Sequence, residues 1–240
     1  MPSAAEIRAL EEVGYAIWVS PEVEELDGWR LRAARGMTGR ANSVFPNAHG
    51  GRDLEAKIAY AEEWYTAREQ PVRFQVTAGS LPAGLGGALA ARGYEPGGSP
   101  VSVQTSDLRE ADGDRRVAVA EHVDDDWIGV WATSRGFADV GTARALLTGS
   151  PGRTAFARVG DVAIGRAVAH DGWLGITSMV TLPAMRRRGL ARAIVASLLA
   201  WGRSAGATRG FLQTDSPAAK VLYAQFGFAE QYTYSYWLRR

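Results

Sequence analysis

Between residues 190 and 201, apolar side chains recur at Leu190, Ile194, Leu198 and Trp201, in steps of four, four and three. That spacing is the period of one face of an α-helix. Ahead of it the pattern shortens to that of strands: RTAFARV (153–159) and VAIGRAVAH (162–170) meet at Gly160-Asp161, and Asp171-Gly172 turns the chain into WLGITSMV (173–180). An Asp-Gly pair between two β-rich runs is a strong hairpin signal. Beyond the helix come a short strand RGFLQT (209–214), a helix SPAAKVLYAQFG (216–227) and an aromatic strand YTYSYWLRR (232–240).

The first half offers a similar series. WRLRAARG (29–36) and GRANSVFP (39–46) read as strands, followed by a helix DLEAKIAYAEEWYTARE (53–69). A strand VRFQVT (72–77), a helix PAGLGGALAARG (82–93) and a strand SPVSVQTSDL (99–108) complete it. Laying ARGYE on QFGFA pairs Gly93 with Gly227, 134 residues on, and the order strand, helix, glycine-aromatic, strand then agrees on both sides. A repeat this long predicts paired domains and not a solenoid. One continuous α+β sheet with coincidental order is the alternative. The polar run TSDLREADGDRR (105–116) is the candidate linker, which gives domains 1–110 and 111–240.

Composition narrows the function. With 46% hydrophobic and 22% charged residues the chain can bury a sizeable core. No apolar run approaches the ~18 residues of a membrane span, and the acidic N-terminal stretch lacks the basic and apolar regions of a signal peptide. There is no cysteine, hence no disulfide, thiolate metal site or cysteine nucleophile. These features predict a cytoplasmic protein with no metal and no membrane partner, a monomer or homodimer. A formal net charge of +1 argues against nucleic acid as a partner.

Against that balanced charge, MVTLPAMRRRGLARAIVASLLAWG (179–202) sets three arginines, Arg186, Arg187 and Arg188, directly before a helix start. Cations are unfavourable there, because the helix N-terminus is already partially positive. Gly189 permits close approach to the backbone, the first-turn N–H groups lack partners, and guanidinium groups pair well with phosphate oxygens. The local physics therefore predicts a pyrophosphate at the helix start, with an extended tail alongside the end of the strand GITSMV.

Arg186-Arg187-Arg188-Gly189-Leu190-Ala191 resembles motif A of the GNAT superfamily of acyl-CoA-dependent N-acyltransferases, Gln/Arg-x-x-Gly-x-Gly/Ala. About 30 residues on, SPAAKVLYAQFGF resembles the family's second signature, with Ala219, Tyr223, Gly227 and Phe228 in place and Ser216 where asparagine is usual. The resemblance covers 117–240; the first half resembles the same fold more faintly, as in tandem GNAT proteins.

The fold this implies is α/β (α+β): two tandem GNAT-like domains, each a mixed, mostly antiparallel sheet flanked by helices. The activity it implies is transfer of an acetyl group from acetyl-CoA, as co-substrate, to a primary amine. Arg186, Arg187, Arg188, Gly189, Leu190 and Ala191 would hold the pyrophosphate. Met179, Val180 and Thr181 would hold the pantetheine, with Ser216, Ala219 and Tyr223 beside it, and Tyr223 would protonate the leaving thiolate. A phenol of pKa near 10 stays protonated for that role. A non-catalytic acyl-CoA-binding module is the alternative, because the strand before motif A lacks the glutamate many GNAT enzymes use as base. Candidate bases are Asp215, His170, Glu121 and Asp124–Asp126.

The first copy lacks these groups. Leu89 stands where Tyr223 would be, and Asp53 and Glu55 at its helix start would repel a pyrophosphate. Its Arg40, Asn42, Asn47 and His49 are either lining of a substrate pocket or edge and turn residues.

Overall fold

A computed structural model describes residues 1–239. The chain divides into two compact units, the first comprising residues 1–102 and 231–240 and the second residues 103–230. Among the described residues, no helix is long and apolar enough to cross a membrane.

In unit 1 a helix α1 (Ala4–Ile17) is followed by strands β1 (Glu22–Leu26), β2 (Trp29–Ala33) and β3 (Val44–Phe45), helix α2 (Leu54–Thr66), strand β4 (Arg73–Val76) and helix α3 (Leu85–Ala91). Strand β5 (Tyr94–Asp107) starts in unit 1 and ends in unit 2. Unit 2 continues with β6 (Ala118–Ala120), α4 (Asp125–Ser134), α5 (Val140–Thr148), β7 (Arg153–Val159), β8 (Ala163–His170), β9 (Trp173–Thr181), α6 (Leu190–Ser204), β10 (Arg209–Thr214) and α7 (Pro217–Ala224). The last strand, β11 (Ala229–Arg239), starts in unit 2 and ends in unit 1.

Moving 134 residues along the chain carries α1 onto α5, β1–β3 onto β7–β9, α2 onto α6, β4 onto β10, α3 onto α7 and β5 onto β11. Gly93 and Gly227, at the matching helix ends, share left-handed φ values of 80° and 82°. The last strand of each repeat nevertheless completes the other unit. In unit 1 the strand order is β1-β2-β3-β4-β11-β5, with β11 antiparallel to β4 through Ser235↔Val76 to Leu238↔Arg73. In unit 2 the order is β5-β10-β9-β8-β7-β6. Among the pairings described for each unit most are antiparallel, and one is parallel, β3·β4 in unit 1 and β9·β10 in unit 2.

Two expectations about elements change, and one helix is added. Residues 105–107 belong to β5 and not to a linker. The strand expected at 39–46 shrinks to Val44–Phe45, because the Asn42 amide is spent on its own loop: its Oδ1 accepts from the N–H groups of Ala34 and Gly36 and its Nδ2 donates to Thr38 O. At the N-terminus, Ser3 and Glu6 form a reciprocal capping box that starts α1.

Alternation along the strands assigns the two faces of unit 2. Ala155, Ala157, Ala163 and Ala167 pack with Ile194 and Leu198 of α6, and with Tyr223 of α7, in one core. Full burial of Ile194 and Leu198 stabilises the fold by roughly 2 kcal/mol each. Phe156, between two of those alanines, points the other way and meets Trp127 of α4 edge-on at 5.2 Å. Arg166, next to Ala167, likewise donates to Leu147 O on α5. Helices α6 and α7 thus cover one face and α4 and α5 the other.

Candidate active site

Strands β9 and β10 part. Their parallel pairing runs from Trp173↔Arg209 to Ile176↔Leu212 and stops, while β9 continues to Thr181 and β10 to Thr214. On its other edge β9 slips against β8: Thr177 pairs with Arg166 and Val180 with Ile164, leaving Ser178 and Met179 opposite Gly165. This is a β-bulge. Ser178 adopts a left-handed φ of 54° inside a strand, which costs a non-glycine residue of order 1–3 kcal/mol. A Cβ on Gly165 would lie 2.5 Å from Met179 Sδ and from Ile194 Cγ2, so only glycine lets the bulged methionine pack down onto α6. Ser178 Oγ is buried without a hydrogen-bond partner.

From the end of β9 a 3₁₀ turn (Pro183–Met185) leads to Gly189, the N-cap of α6, at φ 74° and with no side chain capping the helix. A Cβ there would meet nothing within 4 Å; the position demands glycine for its conformation and leaves open space in front of the first-turn N–H groups. That space is a cleft of about 860 Å³. Met179, Val180, Thr181, Arg186, Arg187, Gly189, Leu190, Ala191, Ser216, Ala219 and Tyr223 all line it. Arg188 is exposed and does not. Arg192, one helical position beyond the motif, does, with its guanidinium 5.8 Å from the Phe226 ring centroid.

Across the cleft stands α7. Its N-cap is Ser216, whose Oγ accepts from Ala219 N at 3.3 Å, so this side chain is engaged by the helix itself. Tyr223, one turn further than Ala219, is 6% exposed, and burial pushes its phenol up to about 12. The ring packs against Phe228, while the hydroxyl makes no hydrogen bond among the described residues.

In unit 1 the corresponding helix start is closed from within. Asp53 Oδ1 accepts from Ala56 N and caps α2. Asp27, at the β1–β2 turn, accepts from the N–H groups of Gly50 and Arg52. Its carboxylate lies 3.3 Å from the ammonium of Lys57, whose side chain is fully buried over the Trp29 ring. Built-in carboxylates thus occupy the place that stays open in unit 2. Leu89, the counterpart of Tyr223, is a fully buried core residue. Of the polar residues 40–49, Asn42 bonds its own loop, Asn47 donates to Arg8 O and Glu12, and His49 Nδ1 sits 3.4 Å from Lys57 Nζ; these are structural uses.

None of the acids and histidines named as bases lines the cleft. Glu121 is held by Arg153 and by the Trp201 indole N–H. Asp124 caps α4 and pairs with Arg158, Asp125 pairs with Arg144, and His170 sits at the β8–β9 hairpin beside Asp171. Asp215, just before Ser216, is exposed. What sequence reasoning missed is Arg135. It is the C-cap of α4 and lines the cleft together with Ser134. Arg135-Gly136 is a recognisable helix stop, but no periodicity says which space that stop faces.

Three comparisons with known proteins bear on this site. The family model described as "Probable histone acetyltransferase Rv0428c C-terminal" matches residues 4–237. The probable histone acetyltransferase Rv0428c of Mycobacterium tuberculosis is 32% identical over 233 residues, which cover 93% of this chain and 71% of that protein. The uncharacterized N-acetyltransferase YobR of Bacillus subtilis is 28% identical over 251 residues, covering 98% and 99%. Among solved structures, a GCN5-related N-acetyltransferase from Kribbella flavida shares the fold with a TM-score of 0.61 at 16% identity, over 100% of this chain and 96% of that one.

Proposed function

The chain belongs to the Rv0428c C-terminal family of acetyltransferases within the GNAT superfamily, and from that premise we propose that unit 2 transfers an acetyl group from acetyl-CoA to the primary amine of a small molecule, by direct attack in a ternary complex. Acetyl transfer is the activity its relatives are named for. The observation that carries the reading is the contrast between the two helix starts: Gly189 leaves α6 uncapped and open, whereas Asp53 and Asp27 fill the matching place in unit 1. One chain therefore takes up one acetyl-CoA.

In this reading the N–H groups of Gly189, Leu190 and Ala191, with Arg186 and Arg187, bind the pyrophosphate. The β10-facing edge of β9 at Met179–Thr181, beyond its last pair with β10, bonds the extended pantetheine between the parted strands. The Met179 N–H, at the register shift beside Ser178, is the donor that polarises the thioester carbonyl in this reading. The amine nitrogen attacks that carbon, its proton leaves, the C–S bond breaks, and the sulfur departs toward Tyr223.

Tyr223 acts here by donating a hydrogen bond to the developing thiolate. An ordinary thiol has a pKa near 8.5, well below a phenol held near 12, so full proton transfer follows only as the sulfur is desolvated. With Arg186, Arg187, Arg192 and Arg135 as its charged lining residues, the cleft has no base of its own, and the proton lost by the amine passes to solvent.

Calorimetric titration with acetyl-CoA and then with CoA tests this. One equivalent bound at micromolar affinity, and release of free thiol on adding an amine, is the expected result. Absence of binding refutes it.

A further inference from the structure

Resting on that acyltransfer reading, we infer that the acceptor is an amine that carries a negative charge of its own, and that Arg135 is the residue that selects it.

The charges on the cleft have one sign. Arg135, Arg186, Arg187 and Arg192 line it, and no aspartate, glutamate or histidine does. These arginines fall into two sets. Arg186, Arg187 and Arg192 stand at or beside the start of α6, on the face of the sheet where the open N–H groups lie. Arg135 ends α4, which packs on the opposite face through Trp127 and Phe156. The lining therefore draws on elements from both faces and on Met179–Thr181 of β9, which lie past its last pair with β10.

In the acyltransfer reading the thioester lies along Met179–Thr181, with the open start of α6 on one face of the sheet and the end of α4 on the other. Whatever amine arrives there meets a guanidinium. Arginine recognises carboxylate or phosphate through paired N–H donors, with geometric as well as electrostatic selectivity. A polyamine or lysine-rich peptide finds like charge there and no acid among the residues that line the cleft. An acceptor such as an α-amino acid meets both requirements: its carboxylate engages Arg135 and its neutral amine faces the thioester. The balance is that of amide formation. The nitrogen loses one proton, the N–C bond replaces C–S, and the sulfur leaves as thiolate and ends as the thiol.

The test compares the intact protein with its Arg135→Gln and Arg135→Lys variants, following thiol release from acetyl-CoA. The acceptors are a panel of α-amino acids, the matching carboxamides, spermidine and a lysine-rich peptide. The native protein is expected to favour a carboxylate acceptor over its carboxamide by about tenfold or more in kcat/KM. Arg135→Gln should abolish the preference by raising KM for the carboxylate acceptor about ten- to a hundredfold, the weight of one charge-assisted pair. KM for acetyl-CoA and kcat/KM for the carboxamide should stay unchanged, and Arg135→Lys should restore part of the preference. Faster turnover of spermidine or the peptide overturns the proposal, as does a loss of acetyl-CoA affinity in Arg135→Gln with acceptor preference intact. If acetyl-CoA binds but no anionic amine is acetylated or bound, the proposal also fails. If acetyl-CoA itself does not bind, what fails is the acyltransfer reading beneath it.

Discussion

Asp27 and Lys57 face each other in unit 1 with a carboxylate oxygen 3.3 Å from a fully buried ammonium, beside the helix start that corresponds to Gly189. Burial, with a smaller contribution from the Arg52 charge, pulls the Lys57 ammonium below the usual lysine value, and the Asp27 hydrogen bond and charge work against that. Removing the carboxylate by Asp27→Asn leaves a buried cation unbalanced, which is costly in proteins generally. We expect the melting temperature to drop by several degrees, and the paired change Asp27→Asn with Lys57→Met to recover part of it. Calorimetry on both variants should still give one acetyl-CoA per chain.

Substituting Gly189 by valine forces a β-branched side chain into φ 74° and fills the space before the first-turn N–H groups. The conformational cost is about 1–2 kcal/mol, a shift of roughly 2–8 °C in a protein this size. Acetyl-CoA affinity should fall at least about tenfold, more than the loss of one charge-assisted hydrogen bond requires. A variant that melts lower but binds acetyl-CoA normally would remove the helix start from the site.

Tyr223→Phe keeps the ring against Phe228 and deletes only a hydroxyl that has no partner among the described residues. Stability and acetyl-CoA affinity should therefore hold, while kcat falls about a hundredfold. Equal loss of affinity and rate would instead make Tyr223 a packing residue.

The pH profile should belong to the acceptor. Without a titrating base on the cleft, and with Tyr223 held near 12, kcat/KM rises with pH until the acceptor amine is neutral. Two acceptors differing in amine pKa should shift the break by that difference. A break fixed near neutrality for both would reveal an enzyme base.

Stability should carry a separate signature from Glu11, which is 2% exposed and accepts hydrogen bonds from Tyr232 and Gln75. Burial raises its pKa despite those bonds and the nearby Arg32 and Arg40. A raised carboxyl value means that its contribution is complete below the unfolded value of about 4.3 and is lost as pH rises through the folded one. Glu11→Gln should flatten that part of the stability profile, read by melting temperature from pH 4 to 8.

The features legible in the sequence were those that a single stretch of chain determines. The spacing of Leu190, Ile194, Leu198 and Trp201 yields α6, Asp171-Gly172 yields the β8–β9 turn, and Gly189 supplies the open helix start. Features that needed two distant stretches were not. Nothing local distinguishes Asn42 in a loop from Asn42 in a strand until Ala34 and Gly36 donate to it. Arg135 joins the cleft only once the end of α4 meets residues of β9, α6 and α7, stretches 44 or more residues further along the chain. The partner of Lys57 lies 30 residues away in a hairpin turn.

The exchange of final strands has a consequence for how such a gene can change. Deleting either copy removes a strand from the surviving sheet, exposing unpaired backbone along β4 or β10. Each half thus depends on the other for a strand, and unit 1 must keep both β5 and the β4 edge on which β11 pairs.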